Sequence, residues 1–252
     1  LKKISKKKTY KKSFKRFLLI KYENSDLISS ELSKNVEARV IWGGDSTINK
    51  FKTYKTKPRC IDLAFANRYS ISLIDSNNLA KLNSKNLAIL AKKFYTDTYT
   101  MDQFGCSSPN SVFWLGKNNI IKKNFWFQLR KIVNREYNLD LSGANKKISN
   151  LMNYTLDYNE KFKTDMQNFN LITIKSKKLN FDNFANLNFG TFLEINLKEI
   201  NHLQKYTSEK LQTITYYGID YKNIKKFMIK NKIKGIDRIV PIGRAFDITP
   251  EW

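Results

Sequence analysis

A cysteine among small residues is the strongest chemical signal in the sequence. Cys106 follows Gly105 and precedes Ser107, Ser108 and Pro109, which is typical of a loop rather than a core strand. Small neighbours let a substrate carbonyl approach the sulfur and leave backbone N–H groups to face a developing oxyanion. A thiolate attacks a thioester readily, because one thioester is exchanged for another. The same residues also fit an inert loop or buried cysteine.

A second candidate site lies where an apolar run meets two glycines. Residues 39–42 are followed by Gly43, Gly44 and Asp45, and then by a helix signal. A strand that turns through glycines into a helix brings backbone N–H groups together at the helix N-terminus, where phosphate binds well. The segment lacks a GxGxxG string, and an ordinary turn with Asp45 as the helix N-cap is the alternative interpretation.

The remaining reactive residues indicate little chemistry. The single histidine, His202, lies in a polar stretch, and we interpret it as a surface residue rather than as the base of a Cys106–His202 dyad. The two cysteines, Cys60 and Cys106, cannot build a disulfide framework and form no CxxC pair, which favours a reducing, cytoplasmic setting. No cluster has metal-ligand spacing, so we expect no metal site.

The elements that must position these residues alternate between strand and helix signals, which predicts an α/β fold with a parallel sheet and crossover helices. The pattern predicts two lobes. Strand signals fall at 17–21, 38–42, 60–65, 70–74, 112–115, 171–175, 192–195, 212–217 and 238–242, and helix signals at 26–33, 45–54, 77–94, 118–137, 146–165 and 221–231. Residues 102–110, which contain Cys106, are predicted to form a loop.

Composition restricts the partners. The 252 residues carry a formal net charge of +24, and nine of the 46 basic residues fall within the first 16 positions. This charge favours nucleic acid, anionic membrane or phosphate-rich small molecules as partners, although drift of surface positions in an A+T-rich genome is the explanation that we prefer. No apolar run approaches the roughly 18 residues that span a bilayer. Because the first methionine is Met101, we expect a piece of a longer protein.

Five segments in order carry a family resemblance: 15–20, 39–45, 65–70, 102–109 and 237–243. Together they resemble the long-chain acyl-CoA reductase family, whose best-known member is the fatty-acid reductase of bacterial luminescence, in the aldehyde dehydrogenase superfamily. The resemblance spans about residues 15–252. It implies an aldehyde dehydrogenase-like fold, with part of a Rossmann-type cofactor domain at 1–76, a catalytic α/β domain at 77–235, and a return segment toward the cofactor domain at 236–252.

The resemblance also implies a reaction. Cys106 matches the family nucleophile, which attacks an acyl-CoA thioester, expels CoA and holds the acyl group until NADPH reduces it to an aldehyde. Gly43, Gly44 and Asp45 match the turn beside the dinucleotide, and Glu194 loosely matches a glutamate that touches the nicotinamide ribose. Residues 63–68 stand where aldehyde-oxidising relatives carry a general-base glutamate, and they contain no carboxylate. That loss suits a reductase, which must not hydrolyse its acyl-enzyme.

Further expectations follow from the same resemblance. The oxyanion asparagine and the first βαβ unit of the superfamily would precede Leu1, so the chain alone should not complete the reduction. A homo-oligomer, and an acyl-activating synthetase or acyl-transferase as partner, are expected. Two other functions remain open at this point: a nucleic-acid-binding protein that uses the basic residues 2–16 with interspersed aromatics, and a non-catalytic relative that only binds acyl groups.

Overall fold

The computed structural model describes Lys12 and residues 15–65, 67–157, 163–175 and 187–247. The chain divides into two compact units, Leu1–Ala66 and Asn67–Trp252. Each unit has its own sheet. This division does not test the predicted boundaries at residues 76 and 235, which stay predictions.

The described residues of the first unit form two strands and two helices: α1 (Asp26–Asn35), β1 (Ala38–Trp42), α2 (Asp45–Thr53) and β2 (Ile61–Phe65). The strands pair in parallel, as the alternating pattern predicted. Arg39 fixes this unit, because its buried guanidinium donates to Asp62 at 2.8 and 2.5 Å and to Ser33 Oγ at 3.1 Å. Residues 17–21, predicted as a strand, form no strand and are exposed.

The second unit is built on a seven-stranded sheet with strand order β5-β6-β7-β4-β3-β8-β9. All neighbours are parallel except β5 and β6. The strands are β3 (Tyr69–Asp75), β4 (Pro109–Leu115), β5 (Lys163–Asn168), β6 (Leu171–Lys175), β7 (Thr191–Leu197), β8 (Leu211–Tyr217) and β9 (Arg238–Pro241). The helices are α3 (Ser76–Leu79), α4 (Ser84–Tyr99), α5 (Asn119–Glu136), α6 (Leu141–Asp157) and α7 (Tyr221–Lys230), with a 3₁₀ helix at Ile200–Tyr206.

Two hydrophobic clusters form the core of the second unit. One joins α4 and α5 to the sheet through aromatic side chains, and Phe94 packs edge-to-face on Phe125 with ring centroids 5.4 Å apart. The other joins the sheet to α7, where Ile224 and Phe227 are buried. Strands β3 and β4 are buried along almost their whole length, as expected for central parallel strands that are covered by other elements.

Two predicted helices have different bounds in the structure. The helix predicted at 77–94 is two helices, because Asn83 accepts a hydrogen bond from Asn86 N at 2.9 Å and starts α4 anew. The helix predicted at 146–165 begins earlier, at Leu141, and ends at Asp157. Its predicted last residues belong to β5, which pairs antiparallel with β6. Strand β5 was not predicted, since its pairing with β6 overrides a weak local preference. The 3₁₀ helix was not predicted either.

Candidate active site

Cys106 lies in the loop between α4 and β4, as predicted, and is partly buried. The loop meets the sheet at the amino-terminal ends of β3 and β4. Ser70, near the start of β3, donates its hydroxyl hydrogen to the carbonyl oxygen of Cys106 at 2.7 Å. The same hydroxyl oxygen accepts from Thr213 N of β8 at 3.2 Å. The backbone of Cys106 is therefore tied to two central strands.

Gln103 holds the loop from inside. Its side chain is buried, donates to the carbonyl oxygens of Pro109 at 3.2 Å and Thr191 at 3.3 Å, and accepts from Gly190 N at 2.7 Å. Gln103 has a φ of 62°, a left-handed conformation that is uncommon for a residue other than glycine. Three well-oriented hydrogen bonds compensate for that strain and bridge the starts of β4 and β7.

Gly105 is required by a close contact. A Cβ atom at this position would lie 2.7 Å from Cε1 of Phe246, closer than any side chain tolerates. The glycine beside Cys106 therefore lets the ring of Phe246, which follows β9, pack directly against the loop.

Asp97 fixes the segment that carries Phe246. This buried carboxylate on α4 accepts from Gly243 N at 2.6 Å and from Ala245 N at 3.0 Å. Its own carbonyl oxygen accepts from the Ser108 hydroxyl at 2.7 Å. Burial raises the pKa of Asp97 to about 6, and the two backbone N–H donors oppose that rise.

Two backbone N–H groups next to the sulfur have no protein acceptor in the described part of the chain. Ser108 N closes the turn on Gly105 O at 2.8 Å. Within the residues that the structure describes, the N–H groups of Cys106 and Ser107 donate to no protein acceptor. Such a pair beside a nucleophile can stabilise an oxyanion.

The predicted phosphate turn has a simpler construction. Gly44 caps α2 with φ −65° and ψ 165°, and as a glycine it makes no side-chain cap hydrogen bond. Gly43 N donates to Phe65 O at 3.3 Å, and a Cβ on Gly43 would lie 3.0 Å from Thr47. Asp45 is the first residue of α2 rather than its cap. A helix N-terminus can bind phosphate, and the contact of Gly43, Gly44 and Asp45 with a dinucleotide stays a prediction.

Glu194 lies elsewhere in the second unit. It is buried on β7 and accepts from Trp114 Nε1 at 3.0 Å. Its carboxylate lines a cavity of about 840 Å³ between α5 and strands β6 and β7, and Cys106 does not line that cavity. The predicted contact of Glu194 with a nicotinamide ribose stays a prediction.

The other candidates take no part in this loop. The half-exposed His202 has Nε2 3.7 Å from Glu199 Oε1, and Cys60 precedes β2 in the first unit. The described residues contain no group of three histidine, cysteine or acidic side chains able to hold a metal. In the same described ranges, no helix is long and apolar enough to cross a membrane.

Sequence reasoning missed three residues that hold the loop: Ser70, Asp97 and Gln103. Only Gln103 carried a local signal, because it stands in the predicted loop three residues before the cysteine. The roles of Ser70 and Asp97 depend on partners 36 and 146 residues away along the chain, which no local pattern reveals.

A model of the acyl-CoA reductase (LuxC) family matches residues 14–251. The chain belongs to this family. The match confirms the resemblance carried by the segments around Gly43 and Cys106. No curated protein sequence matches the chain significantly.

The LuxC-family chain is also similar to solved aldehyde dehydrogenase-type structures. An NADP-dependent enzyme from E. coli matches with a TM-score of 0.58 and 10% identity over 90% of this chain and 49% of that one. A substrate-bound AldH from Staphylococcus aureus matches with a TM-score of 0.60 and 6% identity over 89% of this chain and 50% of that one. An NAD-dependent aldehyde dehydrogenase from Sinorhizobium meliloti matches with a TM-score of 0.58 and 9% identity over 90% of this chain and 47% of that one. The aldehyde dehydrogenase-like fold is confirmed. The chain spans about half the length of these structures.

Proposed function

We propose that the protein takes part in reducing a long-chain fatty acyl-CoA to the aldehyde, with Cys106 as nucleophile and NADPH as reductant. Membership of the acyl-CoA reductase family supports the reaction class. The observation that carries the proposal is the loop around Cys106, a partly buried cysteine whose neighbours are fixed by buried hydrogen bonds.

The loop supplies what acyl transfer to sulfur needs. The sulfur of Cys106 attacks the thioester carbonyl, a new C–S bond forms, and the CoA thiolate leaves. The carbonyl oxygen gains negative charge in this step, and in this proposal the N–H groups of Cys106 and Ser107 stabilise it. Losing one such donor typically costs about 100- to 1000-fold in rate.

The protein must also keep water from hydrolysing the acyl group. The two carboxylates attached to this loop are already hydrogen-bonded, since Asp97 accepts from two backbone N–H groups and Asp102 accepts from the Tyr137 hydroxyl at 2.6 Å. Residues 63–68 contain no carboxylate where aldehyde-oxidising relatives carry a general-base glutamate, which supports a reductase over an aldehyde-oxidising enzyme.

NADPH would be held at the Gly43–Gly44 turn, because the N-terminus of a helix such as α2 attracts a phosphate group. The cofactor, when bound, supplies the hydride that reduces the acyl group. Structures of similar fold include an NADP-dependent enzyme and an NAD-dependent aldehyde dehydrogenase, which supports a nicotinamide cofactor. We retain Asp45 and Glu194 as further cofactor contacts in this proposal.

The test is covalent labelling with an isotopically labelled long-chain acyl-CoA and no reductant. The parent protein should gain a hydroxylamine-sensitive acyl group on Cys106. Cys106→Ser should abolish the labelling, while Cys60→Ser, a matched control in the first unit, should label like the parent. Equal labelling of Cys106→Ser and parent protein would contradict the proposal.

A further inference from the structure

Lys147 on α6 is a buried lysine that the proposed reaction does not use. Its side chain is only 2% exposed, and its ammonium donates to Phe189 O at 2.7 Å and to Phe169 O at 2.5 Å. Both partners are neutral carbonyl groups, and burial lowers the pKa of Lys147 to about 7. Burying an ammonium group costs free energy, and these charge-assisted hydrogen bonds to two separate segments offset that cost.

The segment Phe189–Gly190, which we call the β7 corner because it leads into β7, contacts the loop around Cys106 directly. Phe189 N donates to Asp102 O at 3.1 Å, and Gly190 N donates to Gln103 Oε1 at 2.7 Å. The ammonium of Lys147 binds the carbonyl oxygen of the same Phe189. One residue therefore lies between the buried lysine and the loop.

The backbone is strained where the β7 corner meets the loop. Asp102, Gln103 and Phe189 have φ values of 51°, 62° and 58°, and they are three of the four non-glycine residues with positive φ in the described part of the chain. Such a conformation persists only where the surrounding contacts hold it, and it is concentrated at functional sites. Hydrogen bonds on both sides of Phe189 supply such contacts, because its N–H group binds the loop and its carbonyl oxygen binds Lys147.

We infer that Lys147 is a positioning residue for Cys106: its ammonium fixes the β7 corner, and the corner fixes the loop through Asp102 and Gln103. A fixed loop matters for a nucleophile, because displacement by about 1 Å can cost roughly 100-fold in rate. The role of Cys106 as nucleophile rests on the proposed function, whereas the contact of Lys147 with the corner does not.

Hydrogen exchange of the Phe189 and Gly190 amides, measured by NMR on the substrate-free protein, tests the contact with the corner. Lys147→Met removes the charged donor and keeps an unbranched side chain. Protection of both amides should fall by about tenfold or more, the size of effect expected for a hydrogen bond from a charged group. Lys147→Gln, which keeps a neutral N–H donor, should lose less protection, and it carries the test if Lys147→Met does not fold. The matched control is Lys225→Met, at an exposed position on α7, which should exchange like the parent.

Single-turnover labelling with acyl-CoA tests the link to Cys106. In folded Lys147→Met, the rate constant of acylation at saturating acyl-CoA should fall by about tenfold or more. The fraction of protein that is finally labelled and the half-saturating concentration of acyl-CoA should both stay as in the parent. A variant that is only destabilised would instead lose labelled fraction and keep the rate constant of the parent.

Unchanged amide protection in the folded Lys147 variants would overturn the inference, and so would lost protection with an acylation rate constant like that of the parent. A parent protein that does not label at all would contradict the proposed reaction instead. Lost amide protection in the variants would then still support the inference that Lys147 fixes the loop around Cys106.

Discussion

The loop around Cys106 and the turn at Gly43–Gly44 are stabilised in different ways. The cysteine loop is held by buried side chains from distant parts of the second unit, among them Ser70, Asp97 and Gln103. The glycine turn has backbone hydrogen bonds from Gly43 N to Phe65 O and from Ile48 N to Gly44 O, and Gly44 makes no side-chain cap hydrogen bond.

The difference follows from what each segment would do. A nucleophile must stay within a fraction of an ångström of its reactive position, because displacement by about 1 Å can cost roughly 100-fold in rate. A phosphate site must instead leave backbone N–H groups unpaired and accessible. Side chains that hydrogen-bond to the backbone therefore suit the loop around Cys106, whereas at the Gly43–Gly44 turn they would obstruct a phosphate group.

Removing the central anchor of the cysteine loop should have the largest effect. Gln103→Leu leaves the Gly190 N–H and two carbonyl oxygens without their side-chain partner, at about 1–3 kcal/mol for each buried group. We expect acylation of Cys106 to slow by about 100-fold. Single-turnover labelling with acyl-CoA measures this acylation rate.

The matched control is Gln204→Leu, at an exposed position on the 3₁₀ helix, which should label at the parent rate. If folded Gln103→Leu protein also labelled at the parent rate, the loop would not depend on this anchor.

The Asp97 anchor should show itself in the pH dependence of stability. Because burial raises its folded-state pKa to about 6, the native state keeps a proton that the unfolded state releases above about pH 4. The contribution of protonated Asp97 to the free energy of unfolding therefore falls as pH rises from about 4 to about 6, and it is constant above that range. Asp97→Asn removes this titration.

Urea unfolding at several pH values measures the difference in the free energy of unfolding between parent and Asp97→Asn. Relative to Asp97→Asn, the free energy of unfolding of the parent should fall by roughly 2–3 kcal/mol as the pH rises from 4 to 6.5. Nearby Arg238 and Asp247, which influence this pKa, remain in both proteins. A difference that does not change with pH would show that Asp97 titrates normally.

The smallest effect is expected at the glycine turn. The φ and ψ angles of Gly44 are accessible to any L-residue, so Gly44→Val should fold without backbone strain. The valine side chain should keep the cofactor from approaching the backbone of the turn. We expect the NADPH requirement to rise by about tenfold, a change of about 1.4 kcal/mol, with acylation of Cys106 unaffected.

NADPH titration and acyl labelling of the same Gly44→Val sample measure the cofactor requirement and the acylation of Cys106 separately. Gly44→Ala, with its smaller side chain, should raise the NADPH requirement less than Gly44→Val. If acylation fails and the cofactor requirement does not change, the assignment of the turn is wrong.

The sequence by itself determined local conformation and the positions of reactive residues. Small residues around Cys106 predicted a loop, the two glycines after residues 39–42 predicted a strand–turn–helix segment, and both are present in the structure. Strand β1 and the parallel pairing of its unit also followed from local patterns. These features depend on backbone preferences and hydrophobic periodicity, which short segments contain.

The tertiary structure alone decided what holds those residues in place. Gln103 meets Gly190 across 87 positions, and Asp97 meets Gly243 across 146. Strand β5 exists through its pairing with β6, and Glu194 faces a basic cavity that Cys106 does not line. The physical reason is that a buried polar group must find its partner wherever the packed chain brings one, and sequence spacing does not encode that meeting.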